Sequence, residues 1–278
     1  MAQALIALDL DGTLLDEASR LPAGHERTVQ ELRRAGHAVA LVTGRPLLIT
    51  EGWWRRLRLE TPLVCFNGGW VGYPGRAPLA TLRLSEQDTR DILEALRDRG
   101  GVACGYPDER RWWMDRIALE TAGWSERYGA DIEIRPADFL PWCGPSFKVM
   151  YVVDPAHTPR LVRELRARFR ERFHVVQSQP DRLEILPRGC DKAWGLRRLA
   201  AHLGIAREQV WAVGDADNDL EMVRWAGHGC AMGHAPLALR RAARHLLPGI
   251  QARGLCALPT LLRQHGAPAG EDSGQDGA

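Results

Sequence analysis

Four short clusters of polar residues in this 278-residue chain combine side chains that attack electrophiles, move protons or hold cations. They are Asp9–Thr13, Thr43–Arg45, Lys192 and Gly214–Asp219. Each cluster alone has an ordinary structural interpretation: a turn, a strand exit, a solvated helix residue and an exposed acidic loop. The two carboxylates of the first cluster repel each other, however, so folding alone does not favour their spacing. The occurrence of all four clusters in one chain therefore suggests a common site.

Two scarce residue types support this interpretation. Of the 37 basic residues only Lys148 and Lys192 are lysine, and asparagine occurs only at Asn67 and Asn218. Such an arginine-rich chain keeps a scarce residue either by chance or because the position needs its chemistry. Lys192 and Asn218 fall inside the clusters, and Asn67 follows another predicted strand. This coincidence favours the chemical explanation.

Apolar patterning predicts the elements that would position the clusters. Residues 4–10 are typical of a strand buried on both faces of a parallel sheet. Further strands are predicted at 37–45, 62–69, 208–219 and 229–232, and helices at 24–35, 191–203 and 219–226, with a last helix beginning near Pro236. This alternation predicts an α/β fold with a doubly wound, Rossmann-like parallel sheet. Such sheets bind ligands at the carboxyl ends of their strands, where the clusters lie.

The middle of the chain predicts a second α/β unit. Strand-like segments occur at 79–84, 110–115, 146–154, 173–178 and 183–187, and helices are predicted near 85–99 and 157–171. We therefore expect a catalytic core made of residues 1–79 and 188–265, with an α/β cap inserted over 80–187. The small polar residues of 266–278 predict a disordered tail.

The clusters resemble, in type and order, the four signatures of the haloacid dehalogenase (HAD) superfamily. These are D-x-D-G-T at 9–13, T-G-R at 43–45, a lysine after the insert, and G-D-x-x-N-D at 214–219. A large α/β cap between the second and third signatures resembles the class IIB, Cof-type sugar-phosphate phosphatase branch. The segments CFNGG and VWAVGDADNDLEMVRWAG are also similar to that branch. The resemblance covers nearly the whole chain except the C-terminal tail.

The resemblance implies a phosphatase that forms an aspartyl-phosphate. Asp9 would attack the phosphate, and Asp11 would be the general acid for the leaving group and then the base for water. The closeness of another carboxylate would favour the protonated form of Asp11. Lys192 would place a compact positive charge near the phosphoryl oxygens and Asp9.

A magnesium ion is also implied by the resemblance, because two negatively charged partners must approach each other. The ligands would be the carboxylates of Asp9 and Asp215 and the main-chain carbonyl of Asp11, completed by waters. Asn218 and Asp219 would orient the metal shell and Lys192, and Asp219 either ligates the metal through water or does not ligate it.

Substrate binding is assigned by the resemblance to Thr43, Gly44 and Arg45, with Thr43 and the Gly44 N–H holding phosphoryl oxygens. One position departs from the family pattern: the branch usually reads A-M-G-N-A where this chain has AMGHA. His234 therefore stands where an asparagine contacts the phosphate region. Either His234 donates to phosphate instead, or it is a solvent-facing loop residue.

Within the predicted cap, strand alternation sets Lys148 on the face opposite Phe147 and Val149. If that face covers the active site, Lys148 contacts the substrate; otherwise it is a lysine with a buried stem and a solvated head. Trp112 and Trp113 point to opposite faces, so at most one of them lines a pocket. Glu184 is a further candidate on the strand that returns to the core.

Composition narrows the function classes. A net charge of +2, from 37 basic and 35 acidic residues, does not indicate binding to nucleic acids or membranes. No signal segment or apolar run suited to a membrane helix is present, and the scattered cysteines predict reduced thiols, so we expect a cytoplasmic monomer or small homo-oligomer. The leading interpretation is a phosphatase for a small metabolite such as a sugar phosphate. The alternatives are a phosphomannomutase-like phosphomutase, a phosphatase of a cofactor such as FMN or PLP, and a non-catalytic phosphate-binding module.

Overall fold

A five-stranded parallel sheet forms the core of the protein, whose computed structural model describes residues 4–119, 121–135 and 144–265. The strands, from one edge to the other, are β14 (His245–Leu247), β13 (His228–Met232), β12 (Val210–Gly214), β1 (Leu5–Leu8) and β2 (Ala38–Leu41). All four residues of β1 are buried. The predicted parallel α/β sheet is therefore confirmed, with β1 at an interior position between β12 and β2.

Helices cover both faces of this sheet. They are α1 (Ala23–Arg34), α2 (Leu47–Arg56), α6 (Lys192–Leu203), α7 (Leu220–Trp225), α8 (Leu237–Ala242) and α9 (Leu258–His265). On one face Ile6 packs in the same apolar cluster as Val29 of α1, and on the other face Leu5 packs with Leu196 of α6. Because each β1 residue is covered on its own side, the strand needs apolar residues throughout its length.

A second sheet of six strands lies wholly between residues 102 and 187. Its order is β10 (Phe173–Gln179), β11 (Arg182–Pro187), β9 (Val149–Val152), β6 (Val102–Gly105), β7 (Arg111–Met114) and β8 (Asp131–Ile134). Neighbouring strands are antiparallel except β7 and β8, which are parallel. Three helices accompany this sheet: α3 (Glu86–Leu96), α4 (Trp124–Tyr128) and α5 (Thr158–Phe169). We call this unit the cap.

The two faces of the cap sheet have different neighbours. Val149 and Tyr151 pack with apolar residues of α3 and α5. Met150, which points to the other face, belongs to the same apolar cluster as Phe66 and Leu8 of the core. The cap therefore turns the Met150 face of its sheet toward the core.

A small antiparallel sheet connects the two units. It contains β3 (Leu63–Cys65), β4 (Trp70–Gly72) and β5 (Ala80–Thr81), and Val64 also bridges to Val42 beyond β2. The segment predicted as the first cap strand therefore pairs with the core side of the chain. The six-stranded sheet lies within 102–187, and the division into a core and a cap inserted over 80–187 stays a prediction.

Several elements escaped prediction. They are α2, β4, β6, β8, α4, β14 and α9. The helix near Pro236 was expected to be the last, which is wrong, because β14 and α9 follow it. Most of these elements have only three to five residues, and α2 contains β-branched Ile49 and Thr50 together with two tryptophans, which lowers its intrinsic helix propensity. Their stability comes from packing, which local sequence does not show.

Within the described residues, none of the helices combines the length and apolar character that crossing a membrane requires. The tail predicted to be disordered, residues 266–278, lies outside the described residues.

Candidate active site

Charged side chains of the first, third and fourth clusters meet at the carboxyl edge of the core sheet. Asp9 directly follows β1, is 4% exposed, and its backbone N–H donates to the Val213 carbonyl at 3.0 Å. Lys192 begins α6 and is 1% exposed. Its Nζ lies 2.6 Å from Asp9 Oδ1 and 2.5 Å from Asp219 Oδ1. One buried ammonium is thus shared by two buried carboxylates.

The start of α6 is fixed by local sequence. The Asp191 carboxylate accepts the Trp194 N–H at 2.6 Å, which caps the helix one residue before Lys192. On the other side, Gly68 approaches Asp191 so closely that a Cβ at this glycine would lie 2.1 Å from the Asp191 carbonyl oxygen. The glycine of CFNGG therefore lets the turn after β3 pack against the helix start that carries Lys192.

Asp219 connects the Lys192 ammonium to the backbone of the turn that follows β12. Its Oδ1 contacts Lys192, and its Oδ2 accepts the backbone N–H groups of Asp215 and Ala216, both at 2.9 Å. Both oxygens of this fully buried side chain are therefore engaged by protein donors. The geometry suits the orienting role, and a contact of Asp219 with a metal stays a prediction.

Asp215 lies on the other side of the site, against the first cluster. Its Oδ1 accepts the Thr13 hydroxyl at 2.8 Å. Gly12 has φ +81°, and a Cβ there would lie 2.1 Å from Asp215 Oδ2. Glycine is thus required both by the left-handed backbone and by the approach of the carboxylate. This contact brings the D-G-T turn of the first cluster against the carboxylate of the fourth.

The site carries excess negative charge. Burial is the largest cause that raises the pKa of Asp9 well above its usual range; Lys192 opposes it, while Asp219, Asp215 and Asp11 add to it. Burial and Asp219 likewise raise the pKa of Asp215 to about 6. Burial alone would lower the pKa of Lys192, yet Asp219 and Asp9 raise it overall, so the ammonium stays charged.

This donor set fits a divalent cation. Carboxylate oxygens of Asp9, Asp215 and Asp219 all lie within 4.8 Å of one another. Three carboxylates against the single ammonium of Lys192 leave two negative charges, which a dication neutralises. Hard carboxylate oxygens are also the ligands that Mg²⁺ prefers. Of the other residues assigned to the metal, Asn218 directs its amide nitrogen to Asn67, at 3.0 Å from Oδ1.

Asp11 lies beside Arg45 of the second cluster. Its two oxygens receive Arg45 Nε at 2.7 Å and Arg45 Nη2 at 2.5 Å, and the same Nη2 also donates to Ser19. The guanidinium thus contacts the carboxyl group with two parallel hydrogen bonds, and the role of Asp11 as a proton donor stays a prediction. Burial alone would lower the pKa of Arg45, but its bonds to Asp11 raise it. Arg45 thus contacts a catalytic candidate rather than an open substrate site.

Lys148 is also placed differently from its expected open face. It is 2% exposed, and its Nζ lies 2.7 Å from Glu184 Oε1 and 2.9 Å from the Gly44 carbonyl oxygen. The face is the predicted one, because Lys148 points toward the core, but the ammonium head is neither solvated nor free. Direct substrate contact by Lys148 stays a prediction. Thr43, at the end of β2, is 1% exposed and its hydroxyl accepts the Arg45 N–H at 3.1 Å.

His234 lies beside the acidic cluster. Its Nδ1 accepts the Ile250 N–H at 3.2 Å, so the neutral ring carries its proton on Nε2, which faces Asp215 Oδ2 at 3.5 Å. The ring is therefore fixed in place, with 37% of the side chain exposed. Whether it contacts phosphate is untested and stays a prediction.

Asn67 and Glu184, to which the sequence assigns little or no role, also lie next to the site. Asn67 is 2% exposed and its Nδ2 donates to Glu184 Oε2 at 2.7 Å, which links the turn after β3 to the cap. The sequence signals for Asn67 were the scarcity of asparagine and its position after a predicted strand. Trp112 and Trp113, by contrast, are both buried, on opposite faces of the cap sheet. Trp113 therefore packs against the cap helices, whereas Trp112 lies on the face that the cap turns toward the core.

Comparison with known proteins identifies the family of the chain. A family model described as haloacid dehalogenase-like hydrolase matches residues 6–256. The chain is 31% identical over 256 residues to a 5-amino-6-(5-phospho-D-ribitylamino)uracil phosphatase, YitU, of Bacillus subtilis, which covers 86% of this chain and 90% of the relative. It is also 31% identical over 246 residues to an HMP-PP phosphatase of Cronobacter sakazakii, covering 86% and 88% of the two chains.

A solved structure shows the same architecture. A HAD subclass IIB sugar phosphatase superposes with a TM-score of 0.79, over 95% of this chain and 99% of its own, at 18% identity. At that identity the likeness shows the fold alone, which includes the type of cap. The chain therefore belongs to the haloacid dehalogenase-like hydrolases, is a phosphatase of that family, and shares the fold of the class IIB-capped structure.

Proposed function

We propose that this protein is a Mg²⁺-dependent phosphomonoester hydrolase that acts on a small phosphorylated metabolite of the sugar-phosphate class. The observation that carries the proposal is the buried Lys192 ammonium, held between Asp9 and Asp219 with Asp215 alongside. This arrangement places one candidate nucleophile beside one fixed positive charge and a set of cation ligands.

Counter-charge is needed because the nucleophile and the substrate repel each other. At about 4 Å and an effective dielectric constant of about 20, each pair of like charges costs roughly 4 kcal/mol, so a phosphate dianion near Asp9 costs about 8 kcal/mol. Lys192 supplies one positive charge at Asp9. When bound, Mg²⁺ supplies the remaining neutralisation and orients the phosphoryl oxygens. Asp9, Asp215 and the main-chain carbonyl of Asp11 would hold it, with Asn218 orienting its shell.

The protein's own groups then perform two displacements. An Asp9 carboxylate oxygen forms a bond to phosphorus while the bond from phosphorus to the leaving oxygen breaks, and Asp11 donates a proton to that oxygen. A water oxygen next attacks phosphorus, giving a proton to Asp11, and the bond between phosphorus and Asp9 breaks. Inorganic phosphate leaves and both aspartates are restored. Thr43 and the Gly44 N–H would hold phosphoryl oxygens during both steps.

The pairing of Asp11 with Arg45 sets a condition on this cycle. Asp11 can carry a proton for the leaving group only after the bidentate pair has separated. We infer that the substrate draws the Arg45 guanidinium toward its phosphate or sugar oxygens, which releases Asp11. Arg45 thereby keeps its expected substrate-binding role, but exercises it only when substrate is present.

The substrate class is proposed from the cap and the relatives. Both relatives are named as phosphatases of small phosphorylated compounds, and the IIB-capped structure is named as a sugar phosphatase. The cap turns the Met150 face of its sheet toward the core, and we propose that this face limits the size of a bound leaving group. A cytoplasmic location is supported by five described cysteines that are all free thiols, four of them buried.

A hydrolysis panel tests this function. Phosphorylated sugars, nucleotides, FMN and PLP are incubated with the protein in Mg²⁺ and in excess EDTA, and free phosphate is measured. We expect phosphate release from sugar phosphates in Mg²⁺ and loss of release in EDTA. Preference for FMN or PLP would support a cofactor phosphatase. Transfer of the phosphoryl group within the sugar without release of phosphate would identify a phosphomutase, and no turnover of any compound would indicate a binding module.

A further inference from the structure

A chain of polar contacts runs from the cap into the core. Lys148 Nζ contacts Glu184 Oε1 at 2.7 Å and donates to the Gly44 carbonyl at 2.9 Å. Glu184 Oε2 accepts from Asn67 Nδ2 at 2.7 Å, and Asn67 Oδ1 accepts from Asn218 Nδ2 at 3.0 Å. We call these five residues the junction network. It contains both asparagines of the chain and the one lysine outside the acidic cluster.

The network is buried at its centre. Lys148, Glu184 and Asn67 are 2%, 5% and 2% exposed. Glu184 of β11 pairs with Met150 of β9, so Lys148, two residues before Met150, lies on the same face of the cap sheet. Burying an ion pair costs desolvation energy unless the remaining hydrogen-bonding positions are satisfied, and here Gly44 and Asn67 satisfy them. The pair therefore depends on the core for its completion.

Charge balance separates this network from the acidic cluster. It holds one ammonium and one carboxylate, and its remaining partners are a carbonyl and two amides. No further cation or anion is needed, and the described side chains leave the Lys148 head with no solvent-facing surface to offer a ligand. These features suit a structural connection better than a binding site.

We propose that Glu184 is a positioning residue, and that the junction network is a latch that holds the cap on the core. Through Asn67 the carboxylate fixes Asn218, which directly precedes Asp219 in the 3₁₀ turn Asp217–Asp219. Asp219 in turn orients Lys192. The latch thus couples the closed cap to the position of the catalytic ammonium. The catalytic part of this inference rests on the proposed phosphatase function.

The way the contacts are divided explains how the latch could open. The Lys148–Glu184 ion pair lies within the cap, whereas only the bonds to Gly44 and Asn67 cross to the core. Opening therefore breaks the crossing bonds while the two charges remain paired with each other. Neither charge is left alone in a low-dielectric site, so opening avoids the penalty of an unpaired buried charge.

The test uses two variants and a control in the full chain. Asn67→Gly removes the amide without leaving a charge unpaired, and glycine tolerates the left-handed φ of 52° at this position. The double variant Lys148→Met with Glu184→Met replaces the ion pair by apolar side chains of similar length. Arg110→Gln is the matched control, because Arg110 pairs with Glu51 across the same junction but is 58% exposed. Melting temperature, kcat and KM for a sugar phosphate, and radius of gyration without substrate are measured.

We expect both network variants to show a larger radius of gyration and a kcat lowered by about 10-fold to 100-fold, with KM changed less than about 3-fold. Arg110→Gln should match the wild type in all measurements. The double variant should nevertheless melt near the wild-type temperature, because apolar replacement of a buried ion pair is often neutral. Stability and positioning are thereby separated.

An unchanged radius of gyration in both network variants would overturn the latch, whatever their kcat. A double variant that has both the kcat and the melting temperature of the wild type would overturn the positioning role of Glu184. If the wild type hydrolyses no phosphomonoester at all, the proposed function fails, while the radius of gyration still decides the latch.

Discussion

The two lysines of this chain are both buried in ion pairs, yet they occupy different electrostatic surroundings. Lys192 faces Asp9 and Asp219, with Asp215 alongside, so carboxylates outnumber the ammonium. Lys148 faces one carboxylate, Glu184, and its other contact is the carbonyl of a glycine. The cluster around Lys192 carries a net negative charge that a cation would neutralise. The junction network around Lys148 is neutral, and its hydrogen bonds are satisfied.

This difference separates chemistry from positioning. A buried site with excess negative charge is costly unless a cation joins it, so its residues are expected to respond to metal. A neutral, fully bonded cluster gains nothing from a cation and is expected to respond to the arrangement of the cap. Metal dependence is therefore the property by which the two lysines can be told apart.

The largest effect is expected from Lys192→Met. Removal of the ammonium leaves Asp9 and Asp219 buried beside each other, so we expect about 3–5 kcal/mol loss of unfolding free energy and a kcat lowered by at least about 100-fold. Chemical denaturation and phosphate release measure the two effects, and Lys192→Arg serves as a charge-retaining control. A Lys192→Met variant with more than about a tenth of the wild-type kcat would contradict the catalytic role of the ammonium.

Metal removal should change the stability of the acidic cluster around Lys192 but not that of the junction network. Binding of Mg²⁺ at about 100 times its Kd should raise the unfolding free energy by about 2.7 kcal/mol. We expect thermal melts with Mg²⁺ and with EDTA to differ accordingly in the wild type and in Asn67→Gly, but far less in Asp215→Asn. A Mg²⁺ response that disappeared in Asn67→Gly but persisted in Asp215→Asn would reverse the assignment of the two clusters.

A histidine cluster lies at the amino ends of β13 and β14. Unlike the two lysines, these buried groups are held in their neutral form. Burial is the main cause that lowers the pKa of His245 to about 4, and His265, His228 and Arg244 lower it further. Since the unfolded value is about 6.5, the folded state loses stability as pH falls toward 4. Lowering the pH from about 7 to about 5 should reduce the contribution of His245 to the unfolding free energy by about 2 kcal/mol.

Denaturation across this pH range measures that loss, and His245→Phe, which keeps an aromatic ring next to Trp211, provides the control. The pH slope should flatten in the variant. An unchanged slope would show that His245 does not contribute to the pH response, and the active-site carboxylates could not replace it, because the raised pKa values of Asp9 and Asp215 stabilise the folded state as pH falls.

The smallest effect is expected at the pair of Arg110 and Glu51, in which the arginine is exposed and the glutamate is buried. Because Arg110 is 58% exposed, Arg110→Gln should change the unfolding free energy by no more than about 1 kcal/mol. Chemical denaturation checks this value. A loss as large as that of Lys192→Met would mean that burial does not distinguish these ion pairs.

The acidic cluster could be predicted from the sequence, whereas the junction network could not. Asp9, Lys192, Asp215 and Asp219 were placed at one site because parallel strands bring their carboxyl ends to one edge. That rule depends only on strand order and direction. It required no knowledge of how the cap sits on the core.

The junction network, by contrast, depends on docking. Alternation along β9 predicted the face of Lys148, but no local pattern showed that Glu184 would meet Asn67, which is 117 residues away along the chain. The pairing of Asp11 with Arg45 is hidden from the sequence for a related reason, because the two residues are 34 positions apart and follow different strands. Contacts between folded units, and side-chain pairing within a site, require the three-dimensional structure.

The central claim, that Asp9 is the nucleophile of a phosphatase, is tested most directly by Asp9→Asn. Phosphate release from p-nitrophenyl phosphate is measured in Mg²⁺ for wild type and variant, with circular dichroism to show that both are folded. We expect release by the wild type and a rate in the variant reduced at least about 1000-fold, because an amide oxygen cannot replace the carboxylate as nucleophile. Hydrolysis by Asp9→Asn at the wild-type rate would contradict the mechanism.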